Sequence, residues 1–163
     1  DVLMNISIIC MGKLKEAYWR DAVAEYAKRI GAYADFGVTE LAEAKLSDKP
    51  SQKEIDAALA AEGKTIIERM KAKGAYNIAM CIEGRQTSSE GLANMIQTAA
   101  VNGSSRINFI IGSSYGLCDE VKRLADFKLS ISQMTLPHQL ARVILAEQIY
   151  RALSIISHSK YHK

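Results

Sequence analysis

The chain is poor in the residues that build metal centres and disulfide scaffolds. It has 3 cysteines in 163 residues, Cys10, Cys81 and Cys118, widely spaced and without a Cys-x-x-Cys pair. An odd, scattered set of this kind argues against a disulfide framework and for a reducing compartment, the cytoplasm. The 3 histidines, His138, His158 and His162, all follow Pro137, without the carboxylate companions or the spacing of a metal site, and there is no His-Glu-x-x-His. No apolar run approaches the ~20 residues of a membrane-spanning helix, and no basic segment followed by an apolar one opens the chain. The protein therefore reads as soluble. Gly-x-x-x-x-Gly-Lys-Ser/Thr, the dinucleotide glycine spacing and Gly-x-Ser-x-Gly are also missing, so P-loop and hydrolase chemistry have little support.

Charge is equally uninformative in total and more telling in its placement. A net charge of +3 is too mild to announce a nucleic-acid binder. After Pro137, however, the formal charges are Arg142, Arg151, Lys160 and Lys163 against Glu147 alone, and Lys13, Lys15 and Arg20 form a second basic group just past the first strand. On charge alone these are solvated faces. Glu147 and Arg151 stand four apart in the order that favours a helix ion pair.

What is present is an alternation of periods. A hydrophobic content of 48% is ample for a single core, and there is no repeat, low-complexity tract or linker. Met4 to Lys163 is expected to be one domain. Asp1, Val2 and Leu3 precede a start at Met4 and are expected to be an added remnant or the product of an upstream start, outside the fold. The pattern predicts strands at 5–11, 36–41, 76–82, 106–111 and 127–132, and helices at 15–33, 52–73, from Thr87 to 102, 118–124, and from Pro137 onward. Ser51 with Glu54 and Thr87 with Glu90 read as capping boxes. Pro137 suits a first helical turn, where its missing N–H is harmless. The order β-α-β-α-β-α-β-α-β-α implies an α/β fold with a mostly parallel sheet and helices on both faces.

The last helix is apolar around nearly its whole circumference, from Leu140 to Ile156, where a surface helix has one stripe. A homodimer built on this helix is expected, with Ile149 in the interface. Two loops, each leaving a strand and leading into a helix, are expected to make a ligand cleft. The first follows Ile107-Asn108-Phe109-Ile110-Ile111 and contains Gly112 and Gly116. The second is Ser130-Ile131-Ser132-Gln133-Met134-Thr135-Leu136-Pro137. At the carboxyl ends of parallel strands, main-chain groups are free of the ladder and can face a ligand.

Taken together, several motifs closely resemble one family. They are Gly12-Lys13-Leu14-Lys15, Ile111-Gly112 with Gly116-Leu117, Ser-x-Met-Thr-Leu-Pro-His, Arg142-Val143, Glu147-Gln148-x-Tyr150-Arg151-Ala152 and the terminal Tyr161-His162-Lys163. The family is the ribosomal RNA large subunit methyltransferase H family of the SPOUT superfamily, and the resemblance runs from Met4 to Lys163. It implies a cytoplasmic homodimer that uses S-adenosylmethionine to methylate N3 of a pseudouridine in helix 69 of 23S ribosomal RNA, on the assembled ribosome and without a metal. It also implies a C-terminal trefoil knot, an exception to the rule against knots. Carried across, the cofactor contacts fall on Met80, Gly112, Ile131, Ser132, Gln133, Met134, Thr135 and Leu136. Where many relatives have Gly-Gly, this chain has Gly112-Ser113.

Such a methyl transfer needs alignment of donor and acceptor and removal of the imide proton. His138 and His162 are equal candidates for the base. Arg142 is a candidate to stabilise the imide anion and Tyr161 to stack on a base, with Lys160 and Lys163 neutralising phosphates. Two rival classes are a non-catalytic ribosome-binding dimer and a small-molecule methyltransferase of Rossmann type. The second fits Cys10-Met11-Gly12-Lys13 poorly, since it requires a glycine-rich turn after the first strand.

Overall fold

Alternation in the first strand, β1 (Asn5–Met11), sorts the molecule into two packed layers. Ile6, Ile8 and Cys10 point into one apolar cluster while Ile9 and Met11 point into another, as the two-residue period of a strand requires. The computed structural model describes residues 4–158, 161 and 162. The two lysines expected to neutralise phosphates, Lys160 and Lys163, lie outside the described residues, as do residues 1–3.

After β1 come α1 (Ala17–Ile30), β2 (Asp35–Leu41), α2 (Gln52–Met70), β3 (Ala75–Arg85), α3 (Ser89–Val101), β4 (Arg106–Ile110), α4 (Asp119–Leu124), β5 (Phe127–Leu129) and α5 (His138–Ile156). The strands form one five-stranded sheet in the order β2-β1-β4-β3-β5, and every pairing is parallel. Helices α1, α3 and α5 pack on the face of Ile6, Ile8, Phe109 and Ile78, while α2 and α4 cover Ile9, Met11, Ala79 and Ile110. The expected α/β architecture is therefore the one found. No helix among the described residues is long and apolar enough to cross a membrane.

Boundaries differ from expectation where side chains or bulges intervene. Ser51 caps α2 through the capping box with Glu54, but α3 is capped by Ser88, whose Oγ accepts from Gly91 N at 3.0 Å. Thr87 instead lies over Gly91, where a Cβ would come within 2.0 Å of its Oγ1, so the helix starts one residue later than the Thr87-Glu90 pattern implied. Strand β3 runs on to Arg85 because it bulges. Both Met80 and Arg85 register with Leu129, and residues 81–84 are displaced from the ladder, as an insertion in one strand demands. A Cβ on Gly84 would stand 2.8 Å from the Leu129 backbone, so only glycine permits this approach. Beyond Leu129, Ser130 N still bonds Arg85 O at 2.9 Å, after which the chain leaves the sheet.

The all-round apolar character of α5 is met largely within the chain. The helix lies against α1 and α3 as well as the sheet. Ile149, expected at an interface between copies, is 0% exposed in the single chain. Ile149→Glu would thus bury an unpaired carboxylate in the core, and loss of the cooperative thermal transition is expected whatever the oligomeric state. Ile149→Val should cost about 0.5–1.5 kcal/mol in denaturant unfolding.

Candidate active site

Because all strands point the same way, the carboxyl ends of β3, β4 and β5 deliver their loops to one edge of the sheet, where unpaired main-chain groups gather. There the bulge of β3 and the loops after β4 and β5 enclose a cleft of about 340 Å³, within the roughly 300–1,000 Å³ of small-molecule sites. One wall is the turn after β4. Gly116 N donates to Ser113 O at 2.8 Å, and Gly116 has φ +86°, a conformation that favours glycine. Gly112 lines the cleft and also has a role within the chain. A Cβ there would lie 2.3 Å from Gly116 O, so Gly112 lets the turn fold back on itself. The opposite wall is the 130–137 loop, pinned internally by Ser130 Oγ donating to Ser132 O at 2.9 Å and by Met134 N donating to Ser132 Oγ at 3.0 Å.

Of the eight positions expected to contact the cofactor, Met80, Gly112, Ile131, Ser132, Met134, Thr135 and Leu136 line this cleft. Gln133 is exposed and is not among the lining residues. The sequence reading missed Cys81, Ile82 and Glu83, which the β3 bulge turns into the cleft, and Lys122 from α4. Lys122 Nζ stands 2.6 Å from Glu83 Oε1. The hydrogen bond from Lys122, joined by a backbone N–H, holds the Glu83 carboxyl below its ordinary value, and the same bond holds the Lys122 ammonium above its own. Burial raises the Cys81 thiol, which argues against a thiolate nucleophile. No pattern of spacing could have announced Glu83 and Lys122, since the bulge and α4 bring them together across 39 positions.

The four candidate catalytic residues do not share one place. His138, the first residue of α5, lines the cleft. Arg142, one turn on, is 2% exposed and faces the other way. Its Nη1 donates to Glu40 Oε2 at 2.8 Å, and Nη2 donates to the carbonyls of Met11 and Gly12 at 3.3 and 3.2 Å. Its Nε has no partner. This guanidinium ties the end of β1 to α5 and is not among the residues that line the cleft.

Tyr161 and His162 dock on their own chain, away from His138. Tyr161 Oη donates to Glu147 Oε1 at 3.1 Å, its ring centroid is 4.5 Å from that of Tyr150, and the Arg151 guanidinium sits 4.8 Å from its ring. Burial, with Glu147 behind it, raises the phenol above its ordinary value, so it remains a donor. Arg151 Nη2 is 2.6 Å from Glu147 Oε1, the ion pair expected from their spacing. His162 Nδ1 lies 3.2 Å from Arg151 Nη1 and Nε2 lies 2.6 Å from Glu90 Oε1. A guanidinium only donates and a carboxylate only accepts, so Nδ1 is the acceptor and Nε2 carries the hydrogen. Among the described residues no group of His, Cys, Asp and Glu is placed to hold a metal ion.

The match to a family model places this fold and cleft in the SPOUT class of methyltransferases. The family model described as predicted SPOUT methyltransferase matches residues 4–162. A putative ribosomal RNA large subunit methyltransferase H of Methanococcus maripaludis is 46% identical over 160 residues, covering 98% of this chain and 100% of its own. The ribosomal RNA large subunit methyltransferases H of Limosilactobacillus reuteri and Bacillus pumilus are each 45% identical with the same coverage. The chain belongs to the ribosomal RNA large subunit methyltransferase H family. In fold it is similar to a probable methyltransferase from Bordetella pertussis, at TM-score 0.57 and 15% identity, over 92% of this chain and 96% of that one. It is likewise similar to a probable methylase family protein from Haemophilus influenzae, at TM-score 0.53 and 14% identity, over 98% of this chain and 71% of that one.

The methyl donor of this enzyme class is S-adenosylmethionine, and the cleft's donor set suits it. Apolar side chains of Met80, Leu129, Ile131 and Leu136 offer flat contact for a base, while hydroxyl and main-chain groups of both loops offer hydrogen bonds. Gly112→Val would force the Ser113–Gly116 turn open. Calorimetry is expected to show S-adenosylmethionine binding weakened about 10-fold or more, the loss of one to two good polar contacts, with an unchanged far-UV spectrum.

Proposed function

We propose that this methyltransferase acts on ribosomal RNA of the large subunit in the cytoplasm, at N3 of a pseudouridine in helix 69 of 23S RNA on the assembled ribosome. The observation that carries the reading is the meeting of the β3 bulge with the loops after β4 and β5 in one cleft. It occurs in a chain that aligns from end to end with proteins named for that RNA. S-adenosylmethionine, bound there by Met80, Gly112 and the 131–136 loop, supplies an electrophilic sulfonium methyl. His138, at the cleft wall, would accept the imide proton that N3 must lose to be methylated. Glu83 and Lys122, an ion pair on the cleft wall, would hold the amino and carboxylate groups of the methionine end, whose zwitterion their opposite charges suit. Arg142 holds the loop after β1 through Gly12 and Glu40, a supporting role in place of the expected contact with the imide anion.

The enzyme works as a homodimer. Support comes from the rim of the cleft, where Met134 is 78% exposed and Ile82 51%, with Tyr115 and Ile131 beside them. Exposed apolar groups clustered in this way mark contact surfaces. The C-terminal region is threaded as a trefoil knot, a reading favoured by membership of the SPOUT class. From their docked place on their own α5, Tyr161 and His162 reach across the dimer contact to complete the partner's cleft and meet the RNA there.

Mass spectrometry of ribosomal RNA from cells with and without the gene is expected to show one methylated pseudouridine lost from helix 69. An unchanged nucleotide would overturn the substrate. Deletion of residues 160–163 should abolish methylation of ribosomes and leave S-adenosylmethionine affinity and sedimentation as a dimer nearly unchanged. Mixing that truncated chain with Gly112→Val chains should restore part of the activity, because one cleft of each heterodimer would have both an intact turn and an intact tail.

A further inference from the structure

Helix α2 buries Ala58, Glu62, Ile66 and Met70, four positions each one helical turn apart. Three are apolar, as the core-facing stripe of an amphipathic helix should be. The fourth is a glutamate only 5% exposed. Its two oxygens are held by groups from separate loops. Ala44 N donates to Oε2 at 3.0 Å, and Ser113 Oγ donates to Oε1 at 2.8 Å. No lysine, arginine or histidine among the described residues forms an ion pair with it. A carboxylate buried with hydrogen bonds alone is unfavourable compared with an apolar residue of its size, so stability does not account for it.

Its placement does. Ser113 opens the turn whose other end, Gly116, is folded onto Gly112, and Ser113, Ser114 and Tyr115 all line the cleft. The turn joins β4 through Gly112, the residue least able to restrain it, while its far end is fixed by the buried Leu117, so that Ser113 is the end a further contact must hold. From outside the cleft, Glu62 fastens the turn to a 19-residue helix and, through Ala44, to the segment after β2. The face of Ser113, Ser114 and Tyr115 turned toward Glu62 borders a second hollow of about 260 Å³ lined by Ala44, Ile55 and Leu59. Without the clamp the turn has room to swing away from the cleft.

We propose that Glu62 is a positioning residue for the cofactor: its carboxylate, bonded to Ser113, holds the 113–116 turn in the form that binds S-adenosylmethionine. The proposal rests on the reading that this cleft holds the cofactor. Glu62 touches neither cofactor nor RNA and acts through Ser113.

The test compares four variants by calorimetry with S-adenosylmethionine, by thermal unfolding and by steady-state methylation of ribosomes. Glu62→Leu fits the apolar stripe and should unfold at the same or a higher temperature, yet bind the cofactor about 10-fold more weakly, as expected for a lost charged hydrogen bond. The loss should fall on KM for S-adenosylmethionine, with kcat nearly kept. Glu62→Gln can still accept from Ala44 N and donate to Ser113 Oγ, so it should restore binding to near the unmodified value. Ser113→Ala removes the same bond from its other end and should weaken binding similarly. It also keeps the test open should Glu62→Leu fail to fold. Leu136→Trp fills the cleft from the opposite loop, independently of the turn. If Leu136→Trp loses cofactor while Glu62→Leu and Ser113→Ala bind normally, the positioning role is overturned and the cleft reading stands. If Leu136→Trp binds normally, the cleft reading falls, and the proposal with it. A fall in kcat alone, or a Glu62→Gln variant as weak as Glu62→Leu, would also overturn it.

Discussion

The parallel direction of every strand is the constraint on which the rest of this enzyme depends. A parallel sheet leaves its unpaired carbonyl and amide groups at two opposite edges, and only the carboxyl edge carries loops that lead into helices. With β4 between β1 and β3, and β5 outside β3, the turn after β4, the bulge of β3 and the loop after β5 have no choice but to converge. Glycine then sets how closely. Gly112 and Gly84 each stand where a Cβ would strike backbone, at 2.3 and 2.8 Å, so two segments of main chain come together that bulkier residues would hold apart. The cleft is thus a product of backbone proximity first and side-chain chemistry second.

Electrostatics follow the same economy. The basic character of the C-terminal quarter would suggest a surface prepared for phosphate, yet its two arginines are engaged internally. Arg142 bonds Glu40 and two carbonyls at the end of β1, and Arg151 bonds Glu147 and His162. Both act as braces, one fixing the start of α5 and the other fixing the tail upon it. Buried or half-buried guanidinium groups suit this task because their planar donors satisfy several acceptors at once. The counterpart on the acidic side is Glu62, whose carboxylate gathers donors from two loops. In each case a charge inside the fold fixes a loop that secondary structure alone would leave free.

The oxygen and nitrogen atoms of the tail form a continuous path from Glu147 through Arg151 to His162 and Glu90, with Tyr161 also bonded to Glu147. That path joins the middle of α5 to the first turn of α3. The orientation of the His162 ring follows from its neighbours, since one nitrogen meets a donor and the other an acceptor. Such networks restrict the ring more than either contact would alone.

The sequence by itself determined the order and kind of the elements. Alternation in β1, the apolar run of β4 and the Ser51-Glu54 box act over a few residues, so their signals are local and strong. The two loops that wall the cleft were also legible, because a loop that follows a strand in a parallel sheet has its edge assigned in advance, whereas the seven lining positions within and beside them came from the family resemblance. Only the tertiary structure decided the rest. Whether Thr87 or Ser88 caps α3 turned on the packing of Thr87 against Gly91, and the position of Ile149 inside the chain turned on α1 and α3 flanking α5. The facing of Arg142 away from the cleft required Glu40, 102 positions distant. The meeting of Glu62 with Ser113 crosses 51 positions. Partners so far apart along the chain leave no period or motif in it, because their pairing is set by the stacking of layers and not by the order of residues.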